Sequence, residues 1–402
     1  MSGPAGGPSR FVRLQGLPPY VLAEVDGLRR AALARGEEVF DFGIGNPDSP
    51  SPELAVHALI EAARRGENHR YQPSPGLPPL RAALVSWYRR RFGVELDPDS
   101  EVIATIGSKE GLAHLFYATL GPGVPVLVPN PCYPIHRFGV LFAGGLPVDV
   151  AMHPGRDHLA DYEAARRAAP IPPRFAIMNF PHNPTTATVE PEYWGRALAW
   201  AQTHDLYLIS DLAYADLVFD GRQAPSLLQV PGARERAVEF FTISKSYSMP
   251  GWRVGFCVGN RELVGALRTM KGYLDYGIFG PVQQAAAAVL GEAGDAFARA
   301  ACEMYRSRRD ALCEGLAAAG WPVERPHATM FVWAPLPPAV RAAGLPAADF
   351  ARRLFESTRV VVSPGTGFGD AGEGFVRFAL VEESARCRRA AEKIGEFLRT
   401  FG

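Results

Sequence analysis

Short apolar runs alternate with amphipathic stretches through the middle of the chain. The apolar runs are only four to six residues long and rich in Val, Ile, Leu and Phe, as is typical of buried strands. They lie at 102–106, 125–128, 175–178, 206–209, 239–243 and 253–258. Stretches with helical periodicity, such as 110–120 and 190–204, lie between some of these runs. This alternation predicts an α/β fold with a largely parallel central sheet and helices on both faces.

The pattern changes near residue 281. An alanine-rich stretch at 283–290 leads into a long charged helix, and further apolar runs follow at 330–333, 360–362 and 375–378. This part predicts a smaller α+β domain, while the first forty residues are too few for a domain of their own. We therefore expect a disordered tail (1–12), an N-terminal arm packing with the small domain (13–46), a large domain (47–284) and a small C-terminal domain (285–402). A single continuous α/β domain is the alternative.

The composition excludes several classes of protein. Basic and acidic residues number 42 each, so no overall charge attracts nucleic acid or an anionic membrane. No apolar stretch approaches the ~20 residues of a membrane span, and residues 1–10 contain no apolar signal core. Five scattered cysteines form no CxxC pattern, which favours the cytoplasm. The histidines show no metal-ligand spacing, so we expect no metal site. We expect the histidines, including His182, at the surface or in loops.

Lysine is rare in this chain, because only four of the 42 basic residues are lysines. A lysine can lose its proton and act as a nucleophile, whereas arginine stays charged. Lys245 follows the apolar run 239–243, with hydroxyl residues on both sides and Arg253 eight residues later. It is therefore the candidate nucleophile. Lys271 and Lys393 are expected at solvated helix positions.

Other candidates lie where predicted strands end. Gly107-Ser108-Lys109 follows a strand and opens a helix, an arrangement that exposes backbone N–H groups to an anion. Asp211 ends another strand, at the edge where open α/β sheets bind ligands. Arg377 lies between apolar residues, and burial of an unpaired guanidinium is costly, so it requires a substrate anion or an internal carboxylate.

These motifs occur in an order that resembles the class I/II aminotransferases, from about Leu14 to Leu398. The nearest resemblance is to the bacterial glutamate–pyruvate (alanine) aminotransferases, whose relatives include diaminopimelate aminotransferases. The segments that carry it are 107–114, 211–216, 244–247, 275–277 with Phe279, 363–365 and 367–369. The resemblance implies a fold-type-I transferase that uses pyridoxal 5'-phosphate and forms homodimers, with a small domain built from both chain ends.

The resemblance also implies a role for each candidate. Lys245 holds the cofactor aldehyde, Asp211 pairs with its ring nitrogen, and Tyr133 stacks on its ring. Tyr214 and Asn183 contact the phenolic oxygen. The residues implied at the phosphate are Gly107, Ser108, Lys109, Thr242, Arg253 and, from the neighbouring subunit, Tyr71. The residues implied at the substrate are Gly45, Asn183 and, at its carboxylate, Arg377.

The predicted reaction transfers an amino group between a small L-amino acid and a 2-oxoacid, with alanine and 2-oxoglutarate as the first choice. The pocket predicted around 17–20, Ile44, Lys109 and Tyr276 is compact and apolar apart from one ammonium. Lys109 pairs there either with the distal carboxylate of glutamate or with the phosphate. The alternatives are a diaminopimelate-type aminotransferase and a pyridoxal-phosphate lyase. A transcription regulator would need a DNA-binding module, for which the residues before Phe42 leave no room.

Overall fold

The structure is a computed structural model that describes residues 11, 17, 22–152 and 155–401. The strands within these residues are β1 (Phe40–Phe42), β2 (Val102–Thr105), β3 (Pro125–Asn130), β4 (Leu146–Ala151), β5 (Phe175–Met178), β6 (Tyr207–Asp211), β7 (Ala237–Thr242), β8 (Gly255–Gly259), β9 (Phe331–Pro335), β10 (Val360–Pro364) and β11 (Phe375–Ala379). All six runs predicted in the middle of the chain overlap strands, and so do the three that follow.

The helices surround these strands. They are α1 (Leu22–Ala34), α2 (Glu53–Ala63), α3 (Pro78–Phe92), α4 (Ser108–Thr119), α5 (Pro134–Phe142), α6 (His158–Ala168), α7 (Pro191–Thr203), α8 (Ile243–Ser246), α9 (Arg261–Leu274), α10 (Gly280–Val289), α11 (Glu292–Ala318), α12 (Pro338–Ala342), α13 (Ala347–Thr358) and α14 (Ser384–Leu398).

The larger sheet has seven strands in the order β2-β8-β7-β6-β5-β3-β4. The five strands from β7 to β4 are parallel, and β8 runs antiparallel to both of its neighbours. Strands β5 and β7 are buried at every position, as expected for parallel strands covered on both faces. The predicted α/β fold with a mostly parallel central sheet is confirmed.

Two strands were not predicted, and each has a physical reason. Strand β4 lies at the edge of the large sheet and has only Val150 fully buried, so its sequence lacks an apolar run. Strand β1 has only three residues and gains its stability from a distant partner. It pairs in parallel with β10, from Phe40 opposite Val360 to Phe42 opposite Val362.

The smaller sheet therefore combines both ends of the chain, in the order β1-β10-β11-β9. Its apolar side chains form a core with helices α11, α13 and α14, separate from the two cores that cover the large sheet. The exact domain boundaries at residues 46 and 284 stay predictions.

The large sheet places several polar residues at one edge. Because β3, β5, β6 and β7 are parallel, their carboxyl ends lie on the same side of the sheet. Asn130, Asp211 and Thr242 end three of these strands, and Asn179 directly follows the fourth. Ligands of open α/β sheets bind at this edge, and the candidate site lies here.

One carboxylate lies inside the large domain instead of at its edge. Glu239, in the middle of β7, has no exposed surface and accepts hydrogen bonds from Ser226 Oγ (2.7 Å), Ser210 Oγ (3.1 Å), Tyr88 Oη (3.1 Å) and the Leu227 N–H (3.1 Å). Burial raises the pKa of Glu239 to about 7 in spite of these donors.

Within the described residues, no helix has both the length and the apolar composition needed to cross a membrane. All five cysteines are free thiols.

Candidate active site

Lys245 lies in α8, the single turn of helix that directly follows β7. Thr242 caps this turn by accepting the N–H of Ser244 at 3.2 Å. The side chain of Lys245 is partly buried and Nζ donates to the carbonyl oxygen of Gly45 at 2.6 Å. Burial, and then the positive charges of Arg377 and Arg253, lower the pKa of Lys245 to about 7. A large share of this amine is therefore neutral and nucleophilic at neutral pH.

Asp211 lies at the end of β6, where a buried histidine holds its carboxylate. Nε2 of His136 lies 2.9 Å from Oδ2 of Asp211, and the His136 side chain has no exposed surface. The other oxygen, Oδ1, is buried and has no hydrogen-bond partner among the described residues. One carboxylate oxygen is therefore available to a donor that the described residues do not supply.

The expectation that the histidines lie at the surface or in loops is wrong for His136 and correct for the loop position of His182. His136 lies in the first turn of α5, and both side chains have no exposed surface. His182 does lie in a loop, but burial and the nearby His136 and His158 lower its pKa well below the usual range. The only signal for His136 in the sequence is its place three residues after Tyr133.

Arg377, on β11, points into the same region from the small sheet. Its Nη1 donates to Oδ1 of Asn183 at 2.8 Å and its Nη2 to the carbonyl oxygen of Gly43 at 3.3 Å. The guanidinium lies 4.0 Å from the ring centre of Phe331 and 4.3 Å from that of Phe368. Two neutral oxygens and two aromatic rings thus orient the guanidinium of Arg377, and the residue is only 5% exposed.

Asn179 connects two of the predicted residues, although no role is predicted for Asn179 itself. Its Oδ1 accepts the N–H of Asn183 at 2.9 Å, and its Nδ2 donates to the carbonyl oxygen of Asp211 at 2.6 Å. Both side chains are buried, with Asn179 1% and Asn183 5% exposed. Asn179 therefore fixes the loop that carries Asn183 against the end of β6.

Two predicted tyrosines border these residues. Tyr214 is buried with its ring 5.7 Å from that of Phe331, and burial raises the pKa of its hydroxyl. Tyr133 precedes α5 and contacts the His136 ring edge-on at 6.0 Å. The ammonium of Lys109 lies 5.9 Å from the centre of the Tyr133 ring.

The predicted anion-binding turn lies at the start of α4. Gly107 has φ 74° and no side chain caps the helix there, so the first N–H groups of α4 face outward with the positive end of the helix dipole. Arg253 lies directly behind this turn, and its Nη2 is 3.4 Å from the carbonyl oxygen of Ile106. A Cβ at residue 107 would collide with the Arg253 guanidinium.

The hydroxyls predicted beside this turn both donate to the backbone of the chain. Ser108 Oγ donates to the carbonyl oxygen of Phe241 at 3.3 Å, and Thr242 Oγ1 donates to that of Val254 at 2.9 Å. In this arrangement the Ser108 and Thr242 hydroxyls can still accept hydrogen bonds from other partners, but their protons are already donated. The backbone N–H groups and Arg253 are therefore the groups at this turn whose chemistry suits an anion.

Tyr71 is 89% exposed in the single chain and lies against the ring of Tyr276, with ring centres 5.3 Å apart. A contribution of Tyr71 to a neighbouring subunit stays a prediction.

The expectation of a solvated Lys271 is wrong. Its side chain has no exposed surface, and Nζ lies 3.0 Å from both Oε1 of Glu110 and Oδ1 of Asp275. Ligand atoms of Glu110, His114 and Asp275 lie within 4.8 Å of one another, a spacing that a metal ion could also use. The Lys271 ammonium already lies between the two carboxylates.

Comparisons with known proteins agree with this geometry. Residues 37–394 match the family described as Aminotransferase class I and II. The chain is 49% identical over 393 residues to Glutamate-pyruvate aminotransferase AlaC of Escherichia coli (strain K12), covering 98% of this chain and 95% of that protein. It is 42% identical over 387 residues to the LL-diaminopimelate aminotransferase of Desulforudis audaxviator (strain MP104C), covering 95% and 96%.

A solved structure shows the same fold. A single mutant of the Thermus thermophilus aspartate aminotransferase superposes with a TM-score of 0.87 at 31% identity, covering 97% of this chain and 99% of that one. Family match, full-length relatives and fold agree: the chain is an aminotransferase that belongs to the class I and II family.

Proposed function

We propose that the protein uses pyridoxal 5'-phosphate to move an amino group between a small L-amino acid, alanine in the first place, and a 2-oxoacid such as 2-oxoglutarate. The observation that supports the cofactor assignment is that the site contains both an amine with a lowered pKa and a carboxylate with one oxygen that lacks a hydrogen-bond partner within the described part of the chain. Lys245 has its pKa lowered to about 7, and Asp211 retains one buried oxygen without a partner among the described residues.

The residues present fit this cofactor at each of its polar groups. The cofactor aldehyde requires a neutral amine, which Lys245 provides. A protonated ring nitrogen would supply the hydrogen-bond donor that Oδ1 of Asp211 lacks among the described residues. The turn at Gly107 and the guanidinium of Arg253 form a cradle of donors for a phosphate, which a Cβ at residue 107 would close. We propose Ser108, Lys109 and Thr242 as its further neighbours.

When bound, pyridoxal phosphate supplies an electron sink for the carbon that loses its proton. Asp211 would hold a positive charge on the ring nitrogen, and His136 keeps the Asp211 carboxylate in place by the 2.9 Å hydrogen bond. Lys245 Nζ takes the α-proton of the amino acid and later returns a proton, which its lowered pKa permits near pH 7. Tyr214 and Asn183 would donate to the phenolic oxygen, and Tyr133 would stack on the ring.

Arg377 binds the α-carboxylate of the amino acid in this proposal. Its planar fork matches a carboxylate, and the rings of Phe331 and Phe368 exclude water from its faces. The carbonyl oxygen of Gly45, which accepts the Lys245 ammonium at 2.6 Å, borders the same space. A Cβ at Gly45 would lie 2.5 Å from the Phe331 ring, so the backbone approaches closely there.

The choice of alanine rests on the chemistry of the pocket and on the relative named as a glutamate–pyruvate enzyme. Leu17, Ile44 and Tyr276 are the described apolar residues of the predicted pocket, and Lys109 is its one ammonium; residues 18–20 lie outside the described residues. A methyl side chain suits the apolar part, and Lys109 would pair with the distal carboxylate of glutamate or with the phosphate.

The diaminopimelate reaction is the second candidate, because relatives with that name match nearly the whole chain. A pocket that distinguishes side chains by apolar contact separates substrates by only ~10–200-fold per methylene. Small donors related to alanine are therefore expected to react as well, and the order of kcat/KM among donors decides between the two candidates.

Steady-state kinetics with alanine, glutamate, aspartate, methionine and LL-diaminopimelate as donors test the proposal. We expect kcat/KM to be highest for alanine with 2-oxoglutarate, and the Lys245→Ala variant serves as the inactive control. A kcat/KM for diaminopimelate about tenfold or more above that for alanine would replace the first candidate by the second. Ammonia release without any 2-oxoacid would identify a lyase instead.

We also propose that the active form is a homodimer in which Tyr71 reaches the phosphate of the neighbouring subunit. The 89% exposure of Tyr71 in the single chain supports this placement. Mixing inactive Tyr71→Ala and Lys245→Ala proteins should restore one working site per heterodimer. Background activity after confirmed subunit exchange would place Tyr71 outside the neighbour's site.

The five free thiols support a reducing compartment, and we propose the cytoplasm as the location.

A further inference from the structure

Lys271 is a buried charge that the proposed reaction does not use. It lies on α9 with no exposed side-chain surface, and its nitrogen has three acceptors: Oε1 of Glu110 at 3.0 Å and the two oxygens of Asp275 at 3.0 and 3.2 Å. A tetrahedral ammonium can donate to three acceptors around a single point, whereas the planar fork of arginine cannot. This geometry explains a lysine here in a chain that otherwise favours arginine.

Glu110 connects this ammonium to the anion-binding turn. It is the third residue of α4, and its Oε2 accepts the N–H of Ile106 at 2.6 Å. Ile106 directly precedes Gly107, and its carbonyl oxygen is 3.4 Å from Nη2 of Arg253. The Glu110 carboxylate therefore holds the backbone on the N-terminal side of the turn, while Lys271 holds the carboxylate.

Asp275 connects the same ammonium to a second segment. It is the C-cap residue of α9 and precedes Tyr276, whose N–H donates to the carbonyl oxygen of Lys271 at 3.1 Å. The next N–H, of Gly277, donates to the carbonyl oxygen of Gln72 at 3.1 Å, beside the Tyr71–Tyr276 ring contact. One buried nitrogen thus joins the turn at Gly107 to the segment that carries Tyr71.

We propose that Lys271 is a positioning residue for the phosphate group of the cofactor: it fixes Glu110, and through Glu110 the backbone turn at 106–108 that receives the phosphate. The inference rests on the proposed function of this site. Without the ammonium, the partly buried Glu110 and Asp275 carboxylates lose the positive charge between them and repel each other at close range, while both keep their contact with His114 Nδ1. Glu110 then turns away or takes up a proton, and the Ile106 N–H loses its acceptor.

The test measures binding of inorganic phosphate to the full-length apoprotein by isothermal titration calorimetry. Lys271→Met keeps the length of the side chain and removes its charge, and Lys393→Met on α14 is the matched control. We expect the Kd for phosphate to increase about tenfold or more in Lys271→Met, the loss typical of one charge-assisted hydrogen bond, and to stay within about twofold in Lys393→Met. An unchanged Kd in folded Lys271→Met protein overturns the inference.

A second measurement separates positioning from general loss of stability. Pyridoxal lacks the phosphate, so the ratio of its Kd to that of pyridoxal 5'-phosphate reports on the phosphate turn alone. We expect this ratio to decrease about tenfold in Lys271→Met, whereas a purely structural defect would weaken both ligands equally and leave the ratio unchanged, which overturns the inference. Melting curves check the fold of each variant.

Glu110→Gln provides the same test if Lys271→Met does not fold, because it keeps the side-chain volume and removes the charge that binds both Lys271 and Ile106. The same decrease in the ratio supports the inference, and an unchanged ratio overturns it. Failure of the unaltered apoprotein to bind either phosphate or pyridoxal phosphate would instead contradict the proposed function.

Discussion

The Lys245 amine can be titrated directly, because the chain has only four lysines. Burial first, then the charges of Arg377 and Arg253, lower the pKa of Lys245 to about 7. An ordinary lysine titrates near 10.4, so about one such amine in 2,500 is neutral at pH 7. About half of the Lys245 side chains are neutral at that pH, which increases the concentration of the nucleophile about a thousandfold.

The assay is NMR of apoprotein in which the lysine Cε atoms carry ¹³C, recorded from pH 5 to pH 11. We expect one resonance with a midpoint near pH 7, absent from the spectrum of Lys245→Met. Arg377→Met should move this midpoint upward, because removing a positive charge makes the ammonium less costly. A Lys245 midpoint above pH 9 would refute both the electrostatic account of the site and the assignment of the nucleophile.

The same shift affects stability, and its sign is fixed. The unfolded chain holds the Lys245 proton up to a higher pH than the folded chain does, so this residue makes the free energy of unfolding increase with pH between about 7 and 10.5. Lys245→Met removes that increase, which denaturation at several pH values measures. A pH dependence that is the same in both proteins would contradict the lowered pKa.

Three further predictions concern other residues. His136→Phe should lower kcat about 10–100-fold at saturating cofactor, because it removes the hydrogen bond to the Asp211 carboxylate and a hydrogen bond to a charged group contributes about 1.5–3 kcal/mol. An unchanged kcat would show that Asp211 acts without the hydrogen bond from His136. Gly107→Ala should weaken cofactor binding in equilibrium dialysis about tenfold or more, because a Cβ displaces Arg253 and φ is 74°; equal binding would remove Arg253 from the anion site. The pKa of Glu239 in the folded protein is raised to about 7, so the free energy of unfolding should decrease by about 3 kcal/mol from pH 4.5 to 7. Urea titrations at several pH values should show a smaller decrease in Glu239→Gln. An equal decrease in the variant would assign the pH dependence to other groups.

The sequence predicted the parts of this protein that depend on local pattern. Buried parallel strands are apolar along their whole length, so the runs at 175–178 and 239–243 were recognisable without any knowledge of their neighbours. Lys245 and Asp211 follow such strands, and their position in the chain therefore indicated the edge of the sheet where they lie.

The missed residues depend on partners that are distant in the sequence. A lysine or histidine suggests exposure when only its own segment is considered. Lys271 has a local carboxylate in Asp275, but its second carboxylate comes from Glu110, 161 residues earlier, and the carboxylate that pairs with buried His136 comes from Asp211, 75 residues later. No local pattern encodes such a pair, and the edge strand β4 was missed for a related reason, since its neighbours leave most of it exposed.

The pairing of β1 with β10 has a consequence for the time at which the protein becomes functional during synthesis. Phe40 pairs with Val360, so β1 is synthesised early but cannot form its hydrogen bonds with β10 until more than three quarters of the chain has been made after it. The residues directly after β1, Gly43 and Gly45, provide the carbonyl oxygens that contact Arg377 and Lys245. Contacts between such distant residues form slowly, and a ribosome-bound chain that ends before β10 lacks both the partner strand of β1 and Arg377, so its site is unfinished.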